Sequence, residues 1–364
     1  MLKVGSDFSG VGAFNQSLIR LGVEYKEVFA CDMDKFARET FIHNYGEPEY
    51  YPINVYDREI PSESLDIYMT SPPCQAFSLA GKRLGKDDKR GILFFNSHEF
   101  IQVNKPRFFI FENVKGLLSD DGGRTFQEWV NMLGGKSVNG VPVLFPYDES
   151  VAYHLYWQVI NAKHHGVPQN RERVFLIGIR DDVDNCFQFP REEHLTKRLK
   201  DVLEDEVEDK YFLSEKMIGY LENRSDNFNN GKINYRTEND YATAITKSSS
   251  SLDISDNIIK VKYNDKRLNA TLKKHELPTG KPMMFDTYNQ SIHNESPALK
   301  EPHHNDRRLW DGYQVRKLTP RECFRLMDFP DSFTWPVSDS QAYKQAGNSI
   351  VVNVLYKILK QLPL

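Results

Sequence analysis

No apolar run in this chain approaches the roughly 20 residues needed to span a bilayer as a helix, so membrane passage is not expected. Cysteine is scarce and scattered. The four, Cys31, Cys74, Cys186 and Cys323, include no C-x-x-C pair. That argues against a zinc site and a disulfide framework, and it predicts reduced thiols in a cytoplasmic protein that holds no metal. Positive charge is in no surplus either: 47 Lys and Arg stand against 51 Asp and Glu, a formal net charge of -4. The whole-chain balance therefore does not mark a nucleic-acid binder, and only a locally basic face could make one. The opening residues, Met1 to Phe8, enter a short buried-strand pattern at once and leave no room for a signal peptide, so export is not expected.

What is present is an ordinary globular composition, 40% apolar and 27% charged, in 364 residues. That length predicts one large catalytic domain with a smaller one inserted or appended. Up to about residue 180, short β-branched or aromatic runs alternate with helical patterns, as in a doubly wound α/β sheet. The expected strands are Leu2 to Gly5, Glu27 to Cys31, Leu65 to Thr70, Arg107 to Glu112, Tyr153 to Asn161 and Val174 to Arg180. A helix carrying Ala13, Phe14, Leu18 and Ile19 is expected to end near Gly22. Residues 194 to 310 turn polar and loop-rich. Beyond them Thr319, Pro320 and Glu322 resemble a helix start, and Ile350, Val354, Ile358 and Leu362 form one stripe suited to packing back onto the first domain. The predicted division is a catalytic domain in 1–184, a smaller loop-rich domain in 185–312, and a segment completing the first domain in 313–364.

Three segments could carry chemistry. Ser6 to Phe14 places Gly10 and Gly12 where a strand hands over to a helix, and Asp32, about 20 residues on, ends the next strand. That is the arrangement of a nucleoside site, although a plain tight turn and a helix cap starting the segment at Met33 explain the same residues. Thr70 to Ser78 follows a strand and presents Cys74 after Pro72 and Pro73, which stiffen the backbone. A lone cysteine is more often an inert buried side chain than a nucleophile. Glu112, Arg171 and Arg173 read equally as a strand-end carboxylate and a solvated pair.

Taken in order, these segments resemble the DNA (cytosine-5) methyltransferase family of the bacterial and phage modification type. The glycine turn with Phe8 resembles its cofactor loop, and Asp32-Met33-Asp34 its ribose-binding position. Pro73-Cys74 matches its nucleophile motif, and Gly81-Lys82 with Arg90-Gly91 the loop that closes over DNA. Phe111 to Val114 matches its Glu-Asn-Val motif, and Asn161 to Arg173 its Q-x-R-x-R block. Arg316 to Phe333 resembles its recognition-domain scaffold, and Gln345 to Ile350 its last motif. The match covers nearly the whole chain except residues 185 to 312, which in the family is the target-recognition domain. Two departures stand out. Ser6 and Asp7 precede Phe8 where Asp-Leu-Phe is typical, and the expected acid near the third strand is replaced by Pro52 or Asn54.

The resemblance implies a Rossmann-like fold that uses S-adenosylmethionine to methylate C5 of a flipped cytosine in a specific duplex DNA sequence. It implies a catalytic set of Cys74, Glu112, Arg171 and Arg173. The implied cofactor contacts are Phe8, Ser9, Gly10, Gly12, Asp32, Met33, Asn54, Pro73, Leu93, Asn348 and Ser349, and the implied DNA contacts are Ser78, Lys82 and Arg90. Cys74 adds to C6, Glu112 holds the base through its amino group and N3, and the arginines lower the thiol pKa. The base that removes the C5 proton is not identified; a bound water fits. Basic runs at Lys260 to Arg267 and Lys273 to His275 offset the acidic balance. A monomer is expected, in a restriction-modification or phage-protection role, with a companion restriction endonuclease in the first case. The alternatives are a transfer-RNA (cytosine-5) methyltransferase on the same core and a catalytically silent nucleic-acid-binding regulator. A nicotinamide-dependent oxidoreductase explains the glycine turn and Asp32 but not Cys74, Glu112 and the arginine block.

Overall fold

The computed structural model describes residues 1–73, 92–183, 185–213, 217, 235–246, 257–262, 284–286, 291–293, 307–309 and 313–364. Within them the chain divides into two compact units, one drawn from Met1–Lys197, Thr243–Ser250 and Cys323–Leu364, the other from Arg198–Ala242 and Ser251–Glu322. Among the described residues no helix is long and apolar enough to cross a membrane.

The first unit is built on an eight-stranded sheet. In chain order its strands are β1 (Leu2–Asp7), β2 (Tyr25–Cys31), β3 (Ile67–Thr70), β4 (Phe108–Val114), β5 (Ser137–Val138), β6 (Val141–Pro142) and β7 (Tyr153–Asn161). A two-residue strand outside this sheet, β8 (Gln169–Asn170), precedes the last, β9 (Glu172–Arg180). The spatial order is β2-β1-β3-β4-β9-β7-β5-β6. The first four strands are parallel, and β9 runs antiparallel to both β4 and β7. Helices α1 (Ala13–Leu21), α2 (Lys35–Tyr45) and α3 (Ile92–Asn104) connect the parallel strands in turn, and α4 (Arg124–Leu133) follows β4. This is the doubly wound α/β architecture that the alternating pattern predicts.

The central strands are buried on both faces, which is why they read as near-continuous apolar runs. Phe109 and Phe111 of β4 share one face, where Phe111 meets Phe94 of α3 and Trp129 of α4, and those two rings stack 4.3 Å apart. The expected strand Tyr153–Asn161 is reproduced in full, while β1 and β9 each run two residues past expectation. In β1 the extra residues are Ser6 and Asp7, polar yet buried. Helix α1 ends where predicted: Gly22, at φ 74°, donates its N–H to the Leu18 and Ile19 carbonyls. The last helix, Val352–Leu359, packs on α1 and buries Val352, Val354, Leu355, Ile358 and Leu359. Each such side chain contributes about 1.5–3 kcal/mol when fully removed from water.

One buried carboxylate makes this unit pH-sensitive. Glu27 of β2 accepts a hydrogen bond from Asn15 Nδ2 at 2.9 Å, while its Oε1 is buried without a hydrogen-bond partner. Burial pushes its carboxyl from about 4.5 up to about 7, against the pull of Asn15. The folded protein therefore binds the proton more tightly than the unfolded chain. The contribution of Glu27 to stability therefore falls as pH rises from about 4.5 to about 7 and is flat above. In denaturant titrations Glu27→Gln is expected to exceed the wild type by a margin that widens across that window. An equal margin at pH 5 and pH 8 contradicts the assignment.

The second unit contains short antiparallel pairings: Ile258–Lys262 with Tyr313–Lys317, and Met284–Asp286 with both Ser291–His293 and Arg307–Leu309. Its buried node is Arg316, whose two terminal nitrogens each lie 2.7 Å from one Glu322 oxygen. Glu322 also accepts the Thr319 N–H at 2.8 Å, and Thr319 Oγ1 accepts the Glu322 N–H at 3.1 Å. That reciprocal pair is the capping box that starts the helix Pro320–Leu326 at the predicted place.

Candidate active site

The strand order reverses between β1 and β3, so the crevice outside their carboxyl ends is where a sheet of this kind binds ligand. Phe8 to Gly12 leaves the sheet there after β1, and Ser71 to Pro73 after β3. Phe8, Gly10 and Gly12 have φ of 57°, 55° and 82°. Glycine enters that left-handed region freely, and phenylalanine only at a cost. The Gly10 N–H donates to Asp32 Oδ2 and the Asp34 N–H to Asp32 Oδ1, both at 2.8 Å. Asp32 thus ties the glycine turn to the end of β2. Helix α2 is capped by Asp34, which accepts from the Phe36 and Ala37 N–H groups at 3.0 and 3.2 Å, so capping does not account for Asp32. Burial raises the Asp32 carboxyl, opposed by the Asp34 and Gly10 N–H donors.

Around this turn, Ser9 Oγ is 3.2 Å from the Tyr51 hydroxyl, and the Arg38 guanidinium lies 3.7 Å from the Tyr51 ring centroid. Arg38 also donates to the Tyr51 and Pro52 carbonyls at 2.8 and 3.0 Å, fixing the segment that leads to Asn54. Asn54 Oδ1 accepts the Tyr56 N–H at 3.0 Å. Met33 is 82% exposed and Ile53 63% exposed. A Cβ built on Gly10 meets no heavy atom within 4 Å. Open space over a glycine, a carboxylate beside it and exposed apolar side chains fit a nucleoside with ribose hydroxyls and a flat base. Phe8 and Leu93 are partly buried against the core, Asn348 is exposed at the end of the helix Asp339–Asn348, and Ser349 is buried after it.

The second cluster sits at the end of β4. Glu112 is opposite Phe175 in the antiparallel pairing with β9, and Arg173 lies two residues along on the same face. Arg173 Nε is 3.1 Å from Glu112 Oε1. Burial raises the Glu112 carboxyl above the usual range, with Arg173 and then Arg171 pulling it down. A carboxyl in that state can deliver a proton as well as hold one. Arg171 is 3% exposed, and its terminal nitrogens donate to the Ile245, Gly347 and Ser349 carbonyls at 2.8, 2.9 and 2.9 Å. Burial, and next the Arg173 charge, push Arg171 down to about 9, still charged at neutral pH. Arg173 therefore faces the carboxylate directly, whereas Arg171 holds backbone.

Cys74, Ser78, Lys82 and Arg90 lie outside the described residues. Pro73, just before Cys74, is exposed at the end of β3, and the Pro72 carbonyl accepts from Asn113 Nδ2 at 3.0 Å. Asn113, absent from the expected site, thus joins the segment leading to the thiol to the strand that carries Glu112. Gln169 was also not anticipated: it is fully buried, donates to the Leu326 carbonyl at 2.8 Å and accepts the Ile245 N–H at 3.3 Å. Both fall within recognisable motifs, the only local signal that could have found them. Cys31 and Cys323 are buried, and burial followed by the Asp7 charge pushes the Cys31 thiol up to about 12.

The profile of the family described as C-5 cytosine-specific DNA methylase matches residues 2–363. Type II methyltransferase M.HpaII of Haemophilus parainfluenzae is 33% identical, across 98% of this chain and 88% of that protein. Type II methyltransferase M.NlaX of Neisseria lactamica is 32% identical across 100% and 96%. Orphan methyltransferase M.SPRI of Bacillus phage SPR is 30% identical across 99% and 97%. Among solved structures, S. pombe Dnmt2 methyltransferase superposes with a TM-score of 0.66 at 18% identity, over 99% of this chain and 97% of that one, a likeness of fold. The chain belongs to the C-5 cytosine-specific DNA methylase family and is a DNA (cytosine-5) methyltransferase.

Proposed function

We propose that the protein methylates C5 of a cytosine flipped out of duplex DNA, through a transient bond between Cys74 and C6, with S-adenosylmethionine as methyl donor. The observation that carries this reading is the Asn113–Pro72 hydrogen bond. It couples the segment leading into Cys74 to the strand bearing a buried Glu112, whose carboxyl burial raises above its ordinary range. S-adenosylmethionine, when bound, supplies an electrophilic methyl carbon that C5 takes as the sulfonium sulfur is neutralised. Asp32 is suited to the ribose hydroxyls, the Phe8 to Gly12 backbone to close approach, and Met33 and Pro73 to apolar contact with the same ligand.

Cytosine C5 is a poor nucleophile until a thiolate adds at C6. The sulfur electron pair then forms the S–C6 bond, and electron density moves onto C5 and N3. Glu112 donates a hydrogen bond or proton to N3 as that density builds, and Arg173 holds the Glu112 carboxyl in place. Arg171 fixes the backbone at Gly347 and Ser349, next to the proposed cofactor residues Asn348 and Ser349. Loss of the C5 proton to a base, for which a water suffices, returns electrons to the ring and expels the thiolate, while any proton given to N3 returns to Glu112. Extruding the target nucleotide costs a few kcal/mol; Ser78, Lys82 and Arg90 are proposed phosphate or base contacts in that state, and residues 185–312 the target-recognition region. The type II and phage orphan relatives support a modification or phage-protection role. The test is transfer of labelled methyl onto duplex DNA and onto transfer RNA, with bisulfite sequencing of the DNA. Label in DNA at one sequence context supports the reading, and label in RNA alone overturns it.

A further inference from the structure

We propose that Asp7, Arg58 and Tyr68 are positioning residues for cofactor binding, fixing the spacing of the three segments that carry Phe8, Asn54 and Leu93; this rests on the reading of that crevice as the S-adenosylmethionine site. Asp7 ends β1 immediately before Phe8, and its side chain is fully removed from solvent. Arg58 Nε donates to Asp7 Oδ1 at 2.9 Å, and the Tyr68 hydroxyl of β3 donates to Asp7 Oδ2 at 2.5 Å. The Arg58 side chain is 2% exposed, and its guanidinium carbon lies 4.6 Å from the Phe100 ring centroid on α3. A terminal nitrogen of Arg58 also donates to the Asn96 carbonyl at 3.4 Å, one turn beyond Leu93. Arg58 itself follows a turn opened by Asn54, whose carbonyl accepts the Asp57 N–H at 3.2 Å and whose side chain accepts the Tyr56 N–H. One guanidinium therefore joins the ends of all three segments.

A stabilising role alone does not explain this arrangement. Desolvating two charges costs about as much as their attraction returns, so an apolar pair of similar size would hold the core at least as well. The resemblance noted above points the same way, because Asp7 stands where an apolar residue is typical. Hydrogen bonds, unlike apolar packing, fix direction as well as distance. Here the acceptor lies next to Phe8, the residue held at positive φ in the cofactor turn. Supporting groups of this kind hold binding residues in register with a ligand.

The test separates positioning from packing by removing both charges together. Asp7→Leu alone leaves Arg58 buried without a counter-charge, so it is expected to lower the thermal midpoint and ligand affinity alike. The double variant Asp7→Leu with Arg58→Met restores an apolar core. It is expected to melt close to the wild type yet bind S-adenosylhomocysteine about tenfold more weakly in calorimetry. Wild-type affinity in the folded double variant overturns the proposal and leaves the cofactor reading intact. Failure of the wild type to bind S-adenosylhomocysteine overturns the cofactor reading and this inference with it. Should the double variant not fold, Tyr68→Phe, which keeps both charges and the ring, decides: weaker binding at an unchanged midpoint supports the proposal, and unchanged binding defeats it.

Discussion

Glu112→Gln is expected to lower the single-turnover rate of cytosine methylation by roughly 10²–10⁴-fold, the usual worth of a positioned proton donor. Binding of S-adenosylhomocysteine should be unchanged. The amide keeps the size of the side chain and can still donate a hydrogen bond to the base, but it cannot give up a proton as charge grows on N3. Because burial raises the Glu112 carboxyl, the competent protonated form survives to higher pH than an ordinary carboxylate allows. Activity governed by this group is lost as pH rises through its raised pKa, and that limb of the profile should be missing in the variant. A rate within a few-fold of wild type, with the same pH profile, would mean that Glu112 only shapes the pocket. Arg173→Ala, which removes the 3.1 Å partner of Glu112, is the companion experiment. By raising the carboxyl further, it should extend the same limb upward in pH.

The largest stability effect is expected in the second unit, from Glu322→Ala. Arg316 and Glu322 have side-chain exposures of 2% and 0% and are paired through both terminal nitrogens. Removing the carboxylate strands a buried guanidinium, at a cost of about 3–5 kcal/mol. It also removes the acceptor for the Thr319 N–H at the helix start and for the Glu204 N–H at 2.8 Å. Arg316→Met combined with Glu322→Met should recover most of that loss, since no charge is then left unpaired. Urea unfolding followed by hydrogen exchange in 198–242 and 257–262 reads the effect locally. Additive losses in the double variant would mean that the pair is not coupled.

Local patterns made much of the first unit legible. Tyr153–Asn161 is dense in aromatic and β-branched residues, Gly22 stops α1, and, in the second unit, Thr319 with Glu322 starts a helix, all features decided within a few residues of chain. What escaped depends on distant partners. Ser6 and Asp7 end the apolar pattern of β1, yet the strand continues because Asp7 finds its counter-charge 51 residues away in Arg58. The two arginines of the Q-x-R-x-R block look equivalent as a spacing. Only the fold separates Arg173, on the carboxylate, from Arg171, spent on three carbonyl oxygens. Ile245 sits mid-chain among polar residues, and its place beside Gln169 follows from a contact 76 residues long that no periodicity encodes. The second unit was least legible because its described strands in these pairings are only three to five residues long, and two of the three pairings join segments far apart in the chain.

The proposed chemistry depends on a covalent bond between Cys74 and the target base. Duplex DNA carrying 5-fluorocytosine at the methylated position, incubated with protein and S-adenosylmethionine, tests it directly, because fluorine at C5 cannot leave as a proton does and the thiolate cannot be expelled. The wild type should form a denaturation-resistant protein–DNA complex whose cross-linked peptide contains Cys74, and Cys74→Ala should form none. A Cys74→Ala protein that is trapped equally well, or that methylates ordinary DNA at the wild-type rate, contradicts it.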